Sequence, residues 1–295
     1  MSAETTTHEV APAIRRPRRL SLLGGSGATV LLGIPIVYLL VLLVLPLVLL
    51  GVSTFSNGFG AVSTVLHDDI FWQSLKTTAI VATVVTAVTL VIGTIYALGL
   101  ALSPGWLRAL LFAMLLVVLW SSVLVRTYGW ILIYLPTGVL YKLGHWLGLV
   151  DQPISIYQTT AAMYPAMVHV MLPTMILPIY VTARRLDPQQ LRAATTLGAR
   201  PLLVLRKVVL PQLRPAMLAG CILVFLTSLG FYITPQLLGS PSDTTIAMLI
   251  GRRFDEALYF DQAATMSLML VVVVFVLYVV ADRVFRVSER WSGSL

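Results

Sequence analysis

The chain has 295 residues, of which 58% are hydrophobic and only 11% charged, and its mean hydropathy is +0.91. Soluble globular chains carry about 25% charged residues, so this composition excludes a soluble enzyme and places the chain in a membrane. The formal charge of +8 invites nucleic-acid binding, but the arginines lie at the ends of apolar segments, the pattern of membrane orientation rather than phosphate recognition.

Residues 1–27 are polar, contain Pro12 and Pro17, and carry the run Arg15-Arg16-Pro17-Arg18-Arg19; they read as a disordered basic cytoplasmic tail. Residues 28–52 follow as a first transmembrane helix. They outrun the ~7–15-residue core of a secretory signal, and no small-x-small cleavage site follows. A polar outer loop leads to a second span near 74–102, where Gly93, Ala97 and Ala101 recur every four residues, a stripe that lets helices approach closely in lipid. Ser103-Pro104-Gly105 stops it. A third span is expected as one helix over 107–134, ended by Leu135-Pro136-Thr137-Gly138.

After an outer stretch to 155, the fourth span covers 156–182. Pro165, Pro173 and Pro178 predict kinks in it, and Met163, Met167, Met171 and Met175 form one packing stripe. The fifth span starts near 203 and ends around Thr234-Pro235, and the sixth covers 263–285, with 287–295 as a second cytoplasmic tail. The fold class is therefore all-α integral membrane, with six transmembrane helices and a core domain over 70–286. Six spans put both termini on one side. With the termini and the basic 184–214 region in the cytoplasm, all of the 20 Lys and Arg fall inside except Lys76, Arg126, Lys142, Arg252 and Arg253. The outer loops hold Asp68, Asp69, Asp151, Asp243, Asp255, Glu256 and Asp261, and Arg252, Arg253, Asp255 and Glu256 form a mixed-charge cluster.

No catalytic signature is present. Gly24-Gly25-Ser26-Gly27 lacks the lysine of a phosphate loop, and His8, His67, His145 and His169 stand on separate segments. Cys221 is the single cysteine, so there is no disulfide framework and no thiolate metal site. Neither metal nor cofactor is expected, and energy must come from a partner or an ion gradient.

The polar interval between the fourth and fifth spans carries strong helix signals. Asp187 can N-cap a helix, Pro188 suits its first position, Gln190 completes a capping-box-like pattern, and Gly198 supplies a left-handed stop. The enclosed helix, about 15 Å long at 1.5 Å per residue, is too short to span a bilayer. Ala193, Ala194, Gly198 and the ending Val208-Val209-Leu210-Pro211 resemble the cytoplasmic EAA loop of ABC-transporter permeases, the membrane subunits of binding-protein-dependent importers of the type I fold. Arg192 stands where that family usually has Glu. The resemblance implies a coupling helix that docks on an ATP-binding subunit dimer through Arg192, Ala193, Ala194 and Gly198.

Two further stretches sharpen the resemblance. Ser122-Val123-Leu124-Val125-Arg126-Thr127-Tyr128-Gly129-Trp130 is similar to the third span of spermidine/putrescine-type permeases, and Gly230-Phe231-Tyr232-Ile233-Thr234-Pro235-Gln236-Leu237-Leu238-Gly239 to the stretch after their fifth span. This implies a bacterial inner-membrane importer assembled with a second homologous permease and a periplasmic solute-binding protein. Arg126 is the one charged side chain well inside an expected span, and Ser122, Arg126 and Trp130 share a face by their spacing of four. These three, with Tyr164, His169 and Tyr232, are the candidate lining of the translocation pathway; Thr174, Thr227 and Ser228 are secondary. The resemblance implies polyamine transport. The residues pull the other way: a polycation would meet no carboxylate within the spans and one arginine, which favours a small solute bearing an anionic group, amino-acid-like or opine-like; a polyamine stays the alternative if the second permease supplies the missing acids. The rival readings are an ion-driven secondary transporter, which would need buried acids in its spans, and a non-transporting membrane scaffold.

Overall fold

The computed structural model describes residues 25–292 apart from 56–57, 154–155, 241 and 256–258. The basic run ending at Arg19 and the Glu256 member of the mixed-charge cluster lie outside the described residues. The described residues are helical, without strands. They divide into two units at Leu49–Leu50. The first unit holds most of α1 (Gly25–Phe55), an apolar helix that continues through Pro35 and Pro46.

The second unit is built on three long helices: α3 (Asp69–Leu102), α7 (Thr160–Ala183) and α10 (Leu210–Leu229), each packed on the other two. Each buries one stripe at helical spacing. On α3 it is Val81, Val85, Thr89, Gly93 and Ala97; on α7, Met163, Met167, Met171 and Met175; on α10, Leu213, Ala216, Gly220, Val224 and Ser228. Leucine on every helix would hold the axes apart. Gly93 and Gly220 remove that obstacle, because a Cβ at either would lie within 2.7 Å of the Met175 side chain. Met175 is fully buried between them, its unbranched thioether filling the gap where the three helices converge. Helix α7 stays continuous through Pro165, Pro173 and Pro178.

The expected third span is not one helix. It breaks at Ser121–Ser122 into α4 (Gly105–Trp120) and α5 (Val123–Tyr134), because both serines adopt extended backbone angles. The Ser121 hydroxyl turns back onto the Val118 carbonyl at 3.2 Å, the local bond by which serine competes with helix continuation. Gly138 closes the turn after α5 as expected, since any side chain there would meet three carbonyl oxygens within 2.9 Å. The fifth span also differs from expectation. It starts as α9 (Pro201–Val204), passes through a π-helical turn (Leu205–Val209) into α10, and ends at Leu229 before Gly230. The 233–238 stretch is a separate short helix, α11 (Ile233–Leu238).

The outer stretches contain helices too: α2 (Gly60–Leu66), α6 (Val139–Trp146) and α12 (Ile246–Asp255). α2 and α12 pack with α13 (Phe260–Ser292), which runs beyond the expected 263–285, around Val65, Phe71, Ile246, Leu249 and Met266. A 3.3 Å ion pair between Arg253 and Asp68 fastens α12 to the start of α3, where the Asp68 carboxylate also accepts the Ile70 N–H as an N-cap. Further along α3 the Thr78 hydroxyl accepts the Ile246 N–H, at the start of α12, at 2.8 Å. Among the described residues, six helical segments are long and apolar enough to cross a membrane.

Candidate functional site

Two places gather the residues that the sequence singles out. The first is the face of α5 turned to α7 and α11. Thr127, 1% exposed, shares a hydrogen bond of 3.1 Å with Thr234, which is fully buried. The stretches 122–130 and 230–239, more than a hundred residues apart, therefore touch. One turn further along α5, the Trp130 indole N–H donates to Nδ1 of His169 on α7 at 3.3 Å. Trp130 also stacks on Tyr134 with ring centroids 5.4 Å apart. These contacts fix α5 on both flanks and so fix the direction of Arg126, one turn before Trp130.

Arg126 is half-buried, and its Nε is shut off from solvent with no hydrogen-bond partner. Among the described residues no carboxylate lies within ion-pair distance of it. Arg126 and Trp130, four residues apart, share one face of α5, and Trp130 joins that face to His169 on α7. Ser122 is the exposed residue at the break, its carbonyl accepting the Arg126 N–H at 3.2 Å. Tyr164 lies lower in the numbering of α7, packed against the central core. One turn before it, Thr160 Oγ1 donates to the Asp243 carboxylate. Sequence reasoning left Asp243 in an outer loop; the fold returns it to the first turn of α7. Tyr232 does not join the Arg126 group: its ring covers Gly251 of α12, where an added Cβ would lie 2.9 Å from the ring. Thr227 bonds its own helix at the Leu223 carbonyl, and the Ser228 hydroxyl is buried without a partner.

The second place is α8 (Pro188–Thr196), between α7 and α9. The Asp187 carboxylate caps it by accepting the Gln189 N–H at 2.8 Å. The capping box does not form, because the Gln190 side chain instead accepts from Gln212 on α10 at 3.0 Å. At the other end Gly198 adopts φ +77°. The Ala199 N–H reaches the Ala194 carbonyl and the Gly198 N–H the Thr195 carbonyl, the paired bonds of a Schellman stop. No residue of α8 is fully buried; Arg192 and Ala193 are exposed, and Leu197 just beyond is 87% exposed. Beneath the helix Leu191 and Thr195 line a mainly apolar cleft of about 550 Å³ shared with Leu98, Leu102, Leu186 and Leu205.

A bundle of helices long and apolar enough to cross a membrane, with a half-buried, unpaired arginine on α5 and a capped short helix bonded to its edge, is the architecture of a membrane transport permease. The chain belongs to the family described as binding-protein-dependent transport system inner membrane component, whose model matches residues 90–293, and it is the permease subunit of an ABC importer. It is 32% identical over 228 residues to the spermidine/putrescine transport system permease protein PotB of Escherichia coli (strain K12), covering 77% of this chain and 82% of that protein. It is 33% identical over 213 residues to the molybdenum transport system permease protein ModB of Mycobacterium bovis, covering 69% and 79%. Its fold is similar to a chain in the crystal structure of a bacterial alginate ABC transporter in complex with alginate pentasaccharide-bound periplasmic protein. That match has a TM-score of 0.71 at 17% identity, over 87% of this chain and 92% of that one.

Proposed function

We propose that this permease forms half of a translocation pathway with a second homologous permease, receives its solute from a periplasmic solute-binding protein, and takes its energy from an ATP-binding subunit dimer docked on α8. The observation that carries the docking is the exposed face of α8. A helix of nine residues has no reason to persist in isolation, yet this one is capped at both ends and left uncovered over Arg192, Ala193 and Leu197. The cleft beneath it leaves room for displacement, so a push on the helix can pass through Leu191 and the Gln190–Gln212 bond into α10. With Arg192 in the family's Glu position, any ion pair made there has reversed polarity, and the partner surface should present an acid or a carbonyl. Both termini and α8 lie on the cytoplasmic side, following the lysine and arginine distribution.

The face of Arg126, Trp130 and His169 lines the route. The spermidine/putrescine relatives favour a polyamine-type solute, while the molybdenum relative and the residues of this face leave room for an anionic one. The testing experiment is co-purification with the ATP-binding subunit, in wild type and in Ala194→Trp. The indole should eject the partner by volume alone while the permease still inserts. Undiminished co-purification and solute-stimulated ATPase activity in Ala194→Trp would refute docking on this helix.

A further inference from the structure

We infer that Arg126 and His169 form a carboxylate-binding subsite at the break between α4 and α5, so that the transported solute carries a carboxylate. This rests on the reading that this face lines the route. Three observations converge. First, the guanidinium carries only donors, and in this structure it has no acceptor among the described residues; its Nε is buried and unsatisfied. An intramembrane arginine in a settled structural role finds a carboxylate or backbone carbonyl, and this one has neither.

Second, the Trp130 indole nitrogen can only donate, so at 3.3 Å the His169 Nδ1 must be the accepting, unprotonated nitrogen. The neutral ring then carries its proton on Nε2. Its one acceptor is consumed by Trp130, and what it offers the solute is an N–H. Arg126 and His169 thus present donors without a counterbalancing acceptor, the composition that suits an oxyanion and repels an ammonium. The Trp130 bond is the device that holds this polarity, because an imidazole left free could turn its lone pair outward instead.

Third, the chain is interrupted here. Ser122 ends the break with no side chain capping the first turn of α5, so backbone N–H groups beside Arg126 are also left without intrahelical acceptors. Asp243 already accepts from Thr160 at the start of α7, which lies about two and a half turns from His169, about 13.5 Å at 1.5 Å per residue.

The test places a thiol in the break. In cells expressing the complete importer, Ser122→Cys is introduced with Cys221→Ser, and the labelling rates of anionic sulfonatoethyl and cationic trimethylammonioethyl methanethiosulfonate are compared in membranes. The anionic reagent should react about tenfold faster, as expected of a cleft with one sign of charge. Arg126→Gln should abolish the preference and Arg126→Lys keep most of it, which separates loss of charge from loss of fold. Millimolar γ-aminobutyrate should slow the labelling, and the diamine of equal chain length, putrescine, should not. Equal rates, or faster cationic labelling with Arg126 in place, overturn the subsite and leave the route intact. Anion preference without protection by γ-aminobutyrate overturns the carboxylate assignment. No labelling by either reagent means that the break faces lipid, and then the placing of this face on the route fails as well.

Discussion

Replacing Gly93 by alanine perturbs the point where the three central helices meet. A Cβ there would lie 2.7 Å from Met175 Cγ and 3.2 Å from Met175 Cβ. These are the root atoms of the side chain, so they yield only if α7 itself shifts. Overpacking of this kind costs about 1–3 kcal/mol. Alanine recovers about 0.8–1 kcal/mol of helix propensity, which leaves a net loss on the order of 1 kcal/mol. At Gly220 the new Cβ meets Met175 Sδ at 2.6 Å, but the sulfur can rotate away, and the next atoms lie at 3.5 and 3.6 Å. Gly220→Ala should therefore be close to neutral, the propensity gain offsetting the displaced sulfur. In a Met175→Ala background, which itself costs about 2–5 kcal/mol, Gly93→Ala should become neutral or stabilising, because Cγ is gone. The expected coupling is about 1–2 kcal/mol between residues in direct contact. Reversible unfolding in mixed detergent–dodecyl sulfate micelles measures all four corners of the cycle. Additive effects of Gly93→Ala and Met175→Ala would refute the close approach of α3 and α7 at this site.

Gly198→Val should reduce solute-stimulated ATPase activity of the reconstituted importer about tenfold and Gly198→Asn much less. The position has open space but φ +77°, which asparagine tolerates and a β-branched residue does not. A double-mutant cycle of Thr127→Val and Thr234→Val, read by the same unfolding assay, should give a coupling of about 0.6 kcal/mol, the average for hydrogen bonds between membrane helices. Asp68→Ala should destabilise more than Asp68→Asn, by about 1 kcal/mol, because asparagine keeps the N-cap to Ile70 while both lose the pair with Arg253. Limited proteolysis within α12 should accelerate in the same order.

What the sequence reveals and what it hides divides along physical lines. The spans are legible because lipid demands a long apolar run, and α8 because Asp187, Pro188 and Gly198 act through their own backbones. The four-residue stripes of α3 and α7 were legible for the same reason: helical periodicity is local. The break at Ser121–Ser122 was not, since hydropathy continues across it and two serines within an apolar run look like ordinary helix residues. Gln190 misled because its capping role depends on whether Gln212, far along the chain, competes for the same side chain. The pairing of Trp130 with His169, the Thr127–Thr234 bond and the return of Asp243 to α7 have no local signal at all. The quoted stretches containing Arg126 and Thr234 could be singled out separately, but nothing in either says that it meets the other. The short helices α6, α11 and α12 were read as loop because their amphipathic character is spread over fewer than three turns.

The π-helical turn at Leu205–Val209 has a consequence for how α8 and α10 are joined. Pro211 has no N–H to give the Lys207 carbonyl and Pro215 none for the Pro211 carbonyl, so regular bonding is already interrupted at the entrance to α10. A π turn accommodates one residue more than the α-helix around it. Losing that residue would let the turn close as ordinary α-helix with the flanks kept in phase, whereas losing a residue from regular α-helix turns everything upstream by about 100° and slides it by about 1.5 Å, one step of the helical screw. Deleting Val208 should consequently leave the bundle folded and α8 at nearly the same phase around the axis of α10, whereas deleting Leu218 would throw Gly220 out of its seat on Met175. The π turn acts as slack at the entrance to α10, a place where the chain can gain or lose a residue while α8 keeps its presentation.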